Sequence, residues 1–396
     1  MKIAIATPIL FDKNSPFNHL LKDIIEGFLC ANYEVDRHVA VRNDLEDSYK
    51  FDFNTPRIHY ITYKRRDCSR GNILARYIID SLTNIREARG VKRSNADVLF
   101  EDVSYSSFWT IRAAKKKGIK VVAMLQDVWP DNAVQTGLIK DKGILYRFFE
   151  HWQQYVYKNA NRIICISDDM KQFVVEKGVE DDLIDVVYNW GYNDDIVSIP
   201  WEKNDFVKEY QLNQDMFYAI YAGNIGKMQN VEVVVEAAKI LQRREDIHFL
   251  IIGDGVRKKT IEKIATGMKN LTILPFQPSS MATHIYSAAG VNIIPLIGGG
   301  TKTALPSKTG IILSCGKPVL MTFGEESSFA KKMKEFNAGY SVDSNDSIGL
   351  AKMIECIKDR HYYMDGGLTV FKQFFLREKN VRLYSQILKD TVESDK

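Results

Sequence analysis

The 396-residue sequence predicts an α/β fold: two Rossmann-like, doubly wound domains facing a cleft. Three observations predict it. Short apolar runs rich in β-branched residues alternate with longer amphipathic segments. The alternation restarts after a polar, Trp- and Pro-containing stretch, 193–205. The length corresponds to two or three domains of roughly 150 residues, and two sheets fit it better than one sheet of about eleven or more strands.

Taken in order, the strands expected in the first half are 3–7, 98–101, 121–125, 162–166 and 184–187. Between them, apolar residues at three-to-four spacing predict helices at 16–32, 72–87, 106–117, 145–158 and 168–177. The second series has strands at 218–222, 248–252, 271–274, 291–295, 318–321 and 339–342. The domain boundaries read from this are 1–195, 196–372 and a final segment 373–396. Ligands of open α/β sheets bind beyond the carboxyl ends of the strands, so the informative residues should follow strands.

Composition is that of a soluble globular chain, 45% hydrophobic and 26% charged, which argues against disorder or a fibrous repeat. The five cysteines have no metal-ligand spacing and their number is odd, so neither a disulfide framework nor a zinc site is expected and a reducing compartment is. There is no signal-peptide pattern and no apolar run of about 18 residues, which reads as cytoplasmic without a membrane span. Net charge is +4, but 57–93 holds ten Lys/Arg against three acids, a local +7. Such a segment suits an anionic partner, either a phosphate-bearing substrate or an anionic membrane surface, and equally a solvated helix face. Nucleic-acid binding would need more stacking aromatics than Tyr60, Tyr63 and Tyr77 supply.

The candidate donor-binding residues follow strands of the second half. Gly223-Asn224-Ile225-Gly226-Lys227 precedes a helical run, and two glycines, helix N–H groups and a lysine together suit a diphosphate. A plain strand-to-helix turn is the competing reading. The next strand ends in Gly253-Asp254-Gly255, without the third glycine of a dinucleotide fingerprint. Further on, Gly298 to Gly300 lead into Thr303, Leu305, Ser307 and Lys308. Ser307 is the expected N-cap and Lys308 the first-turn residue of a helix, where its charge opposes the helix dipole and so points to function.

In the first half, Gln126 and Asp127 follow the strand 121–125. Asp127 could orient or deprotonate an acceptor hydroxyl, or cap the helix after Trp129-Pro130. Asn18 and His19, past the first strand, are acceptor-binding candidates alongside Gln126; His19 also fits a plain helix face. No Asp-x-Asp pair, Walker loop, Gly-x-Ser-x-Gly elbow or His-Glu-x-x-His helix occurs, so neither a metal nor a cofactor is expected.

Taken together, Leu125-Gln126-Asp127-Val128-Trp129-Pro130, Tyr188-Asn189-Trp190, the run Tyr221 to Gln229, Ile252-Gly253-Asp254-Gly255, Leu305-Pro306-Ser307-Lys308, Cys315-Gly316-Lys317-Pro318-Val319 and Asn337-Ala338-Gly339 resemble glycosyltransferase family 4, and within it the bacterial branch that builds surface polysaccharides. The resemblance covers essentially the whole chain. It implies a GT-B fold, with an N-terminal acceptor domain, a C-terminal nucleotide-sugar domain, and a last helix crossing back to the first. It implies a retaining, metal-independent hexosyl- or N-acetylhexosaminyltransferase using a nucleotide-diphosphate donor, UDP-sugar first, and a lipid-linked glycan acceptor in capsule, O-antigen or exopolysaccharide synthesis. Lys227 and Lys308 would then neutralise the leaving diphosphate.

Three departures from the family pattern stand out. Gln126 takes the place of a histidine, which leaves Asp127 as the catalytic candidate. Thr303 and Ile311 take the places of two glutamates that hold donor sugar and ribose. Asn224 and Gln229 take the places of an arginine and a lysine. These departures also motivate a catalytically silent accessory protein of the same fold as the alternative. A UDP-sugar epimerase fits less well, for want of cleft carboxylates and histidines.

Overall fold

The computed structural model describes residues 1–7, 16–41, 50–66, 73–191 and 198–394. The expected boundary at 195/196 lies outside these residues, as do 67–72 of the basic segment and 8–15 of the first loop. The chain divides into two compact units, Met1–Tyr188 with Glu378–Lys396, and Asn189–Arg377.

The first unit is built on a seven-stranded sheet of β1 (Lys2–Thr7), β2 (Glu34–Val41), β3 (Ile58–Lys64), β4 (Val98–Asp102), β5 (Lys120–Leu125), β6 (Arg162–Cys165) and β7 (Ile184–Val186). Every pairing is parallel, in the order β3-β2-β1-β4-β5-β6-β7. The central strands β1, β4 and β5 are buried almost throughout, as parallel strands covered on both faces must be. The connecting helices end on local signals. Gly118, in the left-handed region at φ 78°, closes Phe108–Lys117, and the Ser167 hydroxyl accepts from the Met170 N–H to open Asp168–Glu176.

Two strands of this sheet, β2 and β3, are absent from the sequence reading, and burial explains why. The run Asp36-Arg37-His38 inside β2 looks like a loop, yet all three residues are buried. Each has a partner that makes this tolerable. Asp36 pairs with Lys2 at 3.0 Å, the Arg37 guanidinium lies 4.2 Å from the Phe51 ring centre, and His38 Nδ1 is 2.8 Å from the Tyr63 hydroxyl. Burial lowers His38 to about 4, so its ring is neutral.

The C-terminal helix Arg377–Glu393 completes this unit. Tyr384 is wholly buried, edge-on to Phe100 at 5.8 Å, and Asn380 donates to the Tyr188 carbonyl at 2.8 Å. Gly27 makes room for the helix, since a Cβ there would lie 2.1 Å from Val381 Cγ1.

The second unit has a six-stranded sheet of β8 (Phe217–Asn224), β9 (Ile247–Asp254), β10 (Leu271–Leu274), β11 (Val291–Ile294), β12 (Val319–Met321) and β13 (Gly339–Ser341). It is again all parallel, in the order β10-β9-β8-β11-β12-β13. Its core joins alternate residues of β8 and β9 to the apolar faces of the helices Glu232–Ile240 and Ser347–Lys358. Both orders reverse direction beside the first strand of the series. That is the doubly wound arrangement, in which ligand-binding loops gather at the carboxyl edge.

Candidate functional site

At the carboxyl edge of the second sheet, β8 and β9 end on paired glycines. Gly223 lies opposite Gly253, both at φ 151°. The positive φ favours glycine, and a Cβ on Gly253 would come within 1.9 Å of the Gly223 carbonyl oxygen. Gly255, at φ 153°, packs likewise against the Ile225 carbonyl. Two backbone bonds, Ile225 N–H to Asp254 O at 2.7 Å and Arg257 N–H to Ile225 O at 2.9 Å, tie the two turns together. These glycines therefore first allow two strand ends to touch, and only then leave the floor open for a ligand.

Lys308 converges on that floor. Its ammonium donates to the Ala222 carbonyl at 2.9 Å, stands 3.8 Å over the Tyr221 ring, and lies 3.4 Å from where a Gly223 Cβ would be. Among the described residues it has no carboxylate partner. Desolvation pushes it down from the ordinary lysine value to about 7. An ammonium that has lost water and gained only a carbonyl and a ring face is one that an anion would complete.

The surrounding residues differ in part from expectation. Lys308 itself occupies the N-cap position of the helix Thr309–Ser314, which has no side-chain cap, and Ser307 is exposed one residue earlier. Thr303 is fully buried with its hydroxyl on the Gly300 carbonyl at 3.3 Å, and Leu305 is buried beside it, so both support the loop from within. Asn224 is exposed and bonds Gln229 at 3.3 Å over Gly226, while Lys227 is exposed at the tip of the turn. The following helix starts only at Glu232, and that residue pairs with Arg257, so the helix does not open directly behind the glycines. The turn is anchored to the glycine loop beyond β11 by the Ile297 N–H, which donates to the Met228 carbonyl at 2.9 Å.

In the first unit, Gln126 and Asp127 sit directly beyond β5. The cap role for Asp127 falls away: the next helix, Asp131–Gln135, is preceded by Pro130 and has no side-chain cap. The bond between Trp129 and Pro130 is cis. Asp127 is exposed as a residue, while desolvation of its carboxyl raises it to about 6. Beside it, Asp102 at the end of β4 is buried and pushed up to about 8, by desolvation first and by the charge of Asp127 second. Sequence reasoning missed Asp102. The signal was available, a carboxylate closing the strand next to that of Asp127. Asn18 is buried in the helix Pro16–Cys30 and His19 is exposed on it. Among the described residues no group of three or more His, Cys, Asp or Glu could hold a metal ion.

Comparison with known proteins agrees with this architecture. A family model described as Glycosyltransferase Family 4 matches residues 38–190, and one described as Glycosyl transferases group 1 matches 202–363. WbjE of Pseudomonas aeruginosa, named as a glycosyltransferase, is 25% identical over 256 residues, 63% of this chain and 63% of its own length. WcaI of Escherichia coli K12, named for colanic acid biosynthesis, is 28% identical over 214 residues, 53% of this chain and 52% of its own. The matched region thus spans between about half and two thirds of each relative. Among solved structures, Anabaena HepE in complex with UDP and glucose superposes with a TM-score of 0.68 at 14% identity, over 98% of this chain and 99% of that one. That likeness concerns the fold. With the two models matched in order along the two halves and a doubly wound parallel sheet in each unit, the chain belongs to glycosyltransferase family 4.

Proposed function

We propose that the protein transfers a sugar from a nucleotide-diphosphate donor, a UDP-sugar, to a lipid-linked glycan acceptor in bacterial surface-polysaccharide synthesis, with retention of configuration and without a metal. One observation carries the reading: the desolvated Lys308 ammonium, without a carboxylate partner among the described residues, held against the Gly223 turn. In it, the second unit binds the donor and the first unit the acceptor. Lys308 and Lys227 neutralise the departing diphosphate, and the backbone around Gly223, Gly226, Gly253 and Gly255 lets it approach. Asp127 orients or deprotonates the acceptor hydroxyl, and Asn18, His19 and Gln126 contribute to the acceptor side. The name of WcaI supports the pathway, and the UDP complex of HepE supports the donor class. A reaction running inside the cytoplasm suits a donor made there.

A second reading, a silent nucleotide-sugar-binding accessory, is favoured by Ile311. That residue is buried, its Cβ 3.3 Å from where a Gly191 Cβ would be, and it offers a ribose no hydrogen bond. Nucleotide release from a UDP-sugar, in excess EDTA and with a lipid-linked acceptor, separates the two. Acceptor-dependent release that persists in EDTA supports transfer, and donor binding without release supports the accessory. Lys308→Ala should weaken UDP binding by about 1.5–3 kcal/mol, read by titration calorimetry, because a charge-assisted contact is lost. Unchanged binding would remove the cradle on which both readings rest.

A further inference from the structure

Lys308 rests on one aromatic residue, and that residue also reaches the glycine turn. Alternation along β8 puts Ala219, Tyr221 and Gly223 on one face of the strand. Tyr221 is wholly buried, inside the core that joins β8 and β9 to their helices. A buried phenol needs a partner for its hydroxyl. Here the hydroxyl donates to the Asn224 carbonyl three residues further on, so the bond spans Gly223. The turn is thus tied to the tyrosine as well as to β9, and beyond it the Asn224 side chain bonds Gln229 at 3.3 Å.

The same side chain carries the lysine. A Cβ on Gly223 would lie 3.4 Å from the Lys308 ammonium and 3.5 Å from the Tyr221 hydroxyl oxygen, so the glycine leaves the space in which the two groups meet. The ammonium stands 3.8 Å from the centre of the Tyr221 ring. The titratable groups against it are two phenols, Tyr221 from β8 and Tyr286 from the helix Ala282–Ala288, whose hydroxyl donates at 3.4 Å to the Ala222 carbonyl that Lys308 also uses. Burial raises the Tyr221 phenol, and Tyr286 adds to the rise, so its ring is neutral. Desolvation alone displaces Lys308. Against that loss of water, the negative face of a neutral ring is the compensating group, and its attraction is strongest where water is excluded.

We propose that Tyr221 is a positioning residue of the donor site: its ring holds the Lys308 ammonium under the Gly223 turn, and its hydroxyl fixes the turn that receives the diphosphate. Being wholly buried, it acts through Lys308 and Asn224. The inference rests on reading Lys308 as the partner of the diphosphate. It adds that the site's charge and the site's backbone are set by one side chain, with the ring serving the first and the hydroxyl the second. An aliphatic residue of similar bulk could fill the core but would leave the ammonium only the Ala222 carbonyl.

The test compares the parent with two variants of the full chain: Tyr221→Phe, which keeps the ring and removes the hydroxyl, and pentafluorophenylalanine at the same position, a ring of similar size whose face has the opposite charge. Nuclear magnetic resonance of isotope-labelled lysine, with the Lys308 signal assigned by its loss in Lys308→Ala, reads the titration of Lys308 in the free protein. Calorimetry reads UDP affinity at pH 6 and pH 8. In Tyr221→Phe the Lys308 midpoint should hold, while UDP affinity falls about threefold at both pH values because the turn has lost its tie. The fluorinated ring should lower the midpoint by about one pH unit. Its UDP affinity should then lie about tenfold below that of Tyr221→Phe at pH 8 and about twofold below at pH 6. A role in core packing alone would move neither the midpoint nor the ratio between the two pH values. Circular dichroism at the parental level shows that each variant is folded, and Tyr221→Phe carries the test if the fluorinated chain is not. Lys308 titrating alike with both rings, a midpoint displaced in Tyr221→Phe, or parental UDP affinity in Tyr221→Phe would each overturn the inference. A parent that binds no UDP would overturn the donor reading instead, and the titration of the free protein would still decide whether the ring holds Lys308.

Discussion

Lys308 exchanges its hydration for one carbonyl and one aromatic face, and its titration follows. With its value near 7, the free protein at pH 8 holds mostly the neutral amine, whereas a bound diphosphate favours the ammonium. Binding of a UDP-sugar, whose diphosphate does not titrate near neutrality, should therefore take up close to one proton at pH 8 and little at pH 6. Affinity should fall by up to about tenfold per pH unit above 7. Calorimetry in two buffers of different ionisation heat reads the uptake directly, and none at pH 8 would mean that Lys308 does not meet the diphosphate. Asp127 makes a second test at this scale. Asp127→Asn keeps the shape and removes the base, so turnover should fall about a hundredfold or more with UDP affinity unchanged. Parental turnover would leave the acceptor to be deprotonated by another group. The sequence revealed Lys308 through a lysine placed against a helix dipole. It could not reveal that Thr303 and Leu305 face inward, because that depends on how the loop packs in the folded unit.

At the scale of elements, the β8 and β9 ends act as one piece because their glycines leave no space between them. Gly253→Ala would place a methyl group 1.9 Å from the Gly223 carbonyl and force an L-residue to φ 151°, so it should destabilise the second unit by more than about 2 kcal/mol. Thermal unfolding measures this, and a near-parental midpoint would show that the two turns can separate cheaply. Element prediction succeeded where a strand reads as a short, mostly apolar run: β1, β4, β5, β6, β7 and the six strands of the second unit all appear near their expected places. It failed at β2 and β3. Both lie on one side of β1 at the sheet margin, where Asp36, Arg37 and His38 are buried with polar or aromatic partners from β1, β3 and the residues before it. A charged triplet is read as a loop by any argument from hydrophobicity. Its partners, Lys2, Phe51 and Tyr63, are too far away in sequence to correct that reading.

At the scale of the whole molecule, the buried groups whose titration is displaced toward neutrality act in opposite directions in the two units, carboxyls in the first and Lys308 in the second. The first unit encloses Glu87 and Glu101, both wholly buried, and Asp102 at the edge. Burial raises Glu87 well above the usual carboxylate range, with the charges of Glu101 and Asp80 adding to it, and lifts Glu101 and Asp102 to about 8. Near neutral pH the folded unit holds protons on these groups that the unfolded chain, titrating near the ordinary 4 to 4.5, has already lost. Stability is therefore fully retained below about pH 4 as far as these groups are concerned, and falls as pH rises through 8. The second unit buries Lys308, lowered to about 7, so its folded form holds fewer protons than the unfolded chain between about 7 and 10.5 and its stability rises across that interval. Amide hydrogen exchange followed separately on β4 and β5 and on β8 and β9 should show protection of the first pair weakening from pH 6 to 9, after correction for intrinsic exchange, while that of the second pair holds or strengthens. Glu87→Gln keeps the side chain's volume without an ionisable proton and should flatten the decline in the first unit. If the parent and this variant decline equally, Glu87 is not part of the proton reservoir, and the burden passes to Glu101 and Asp102.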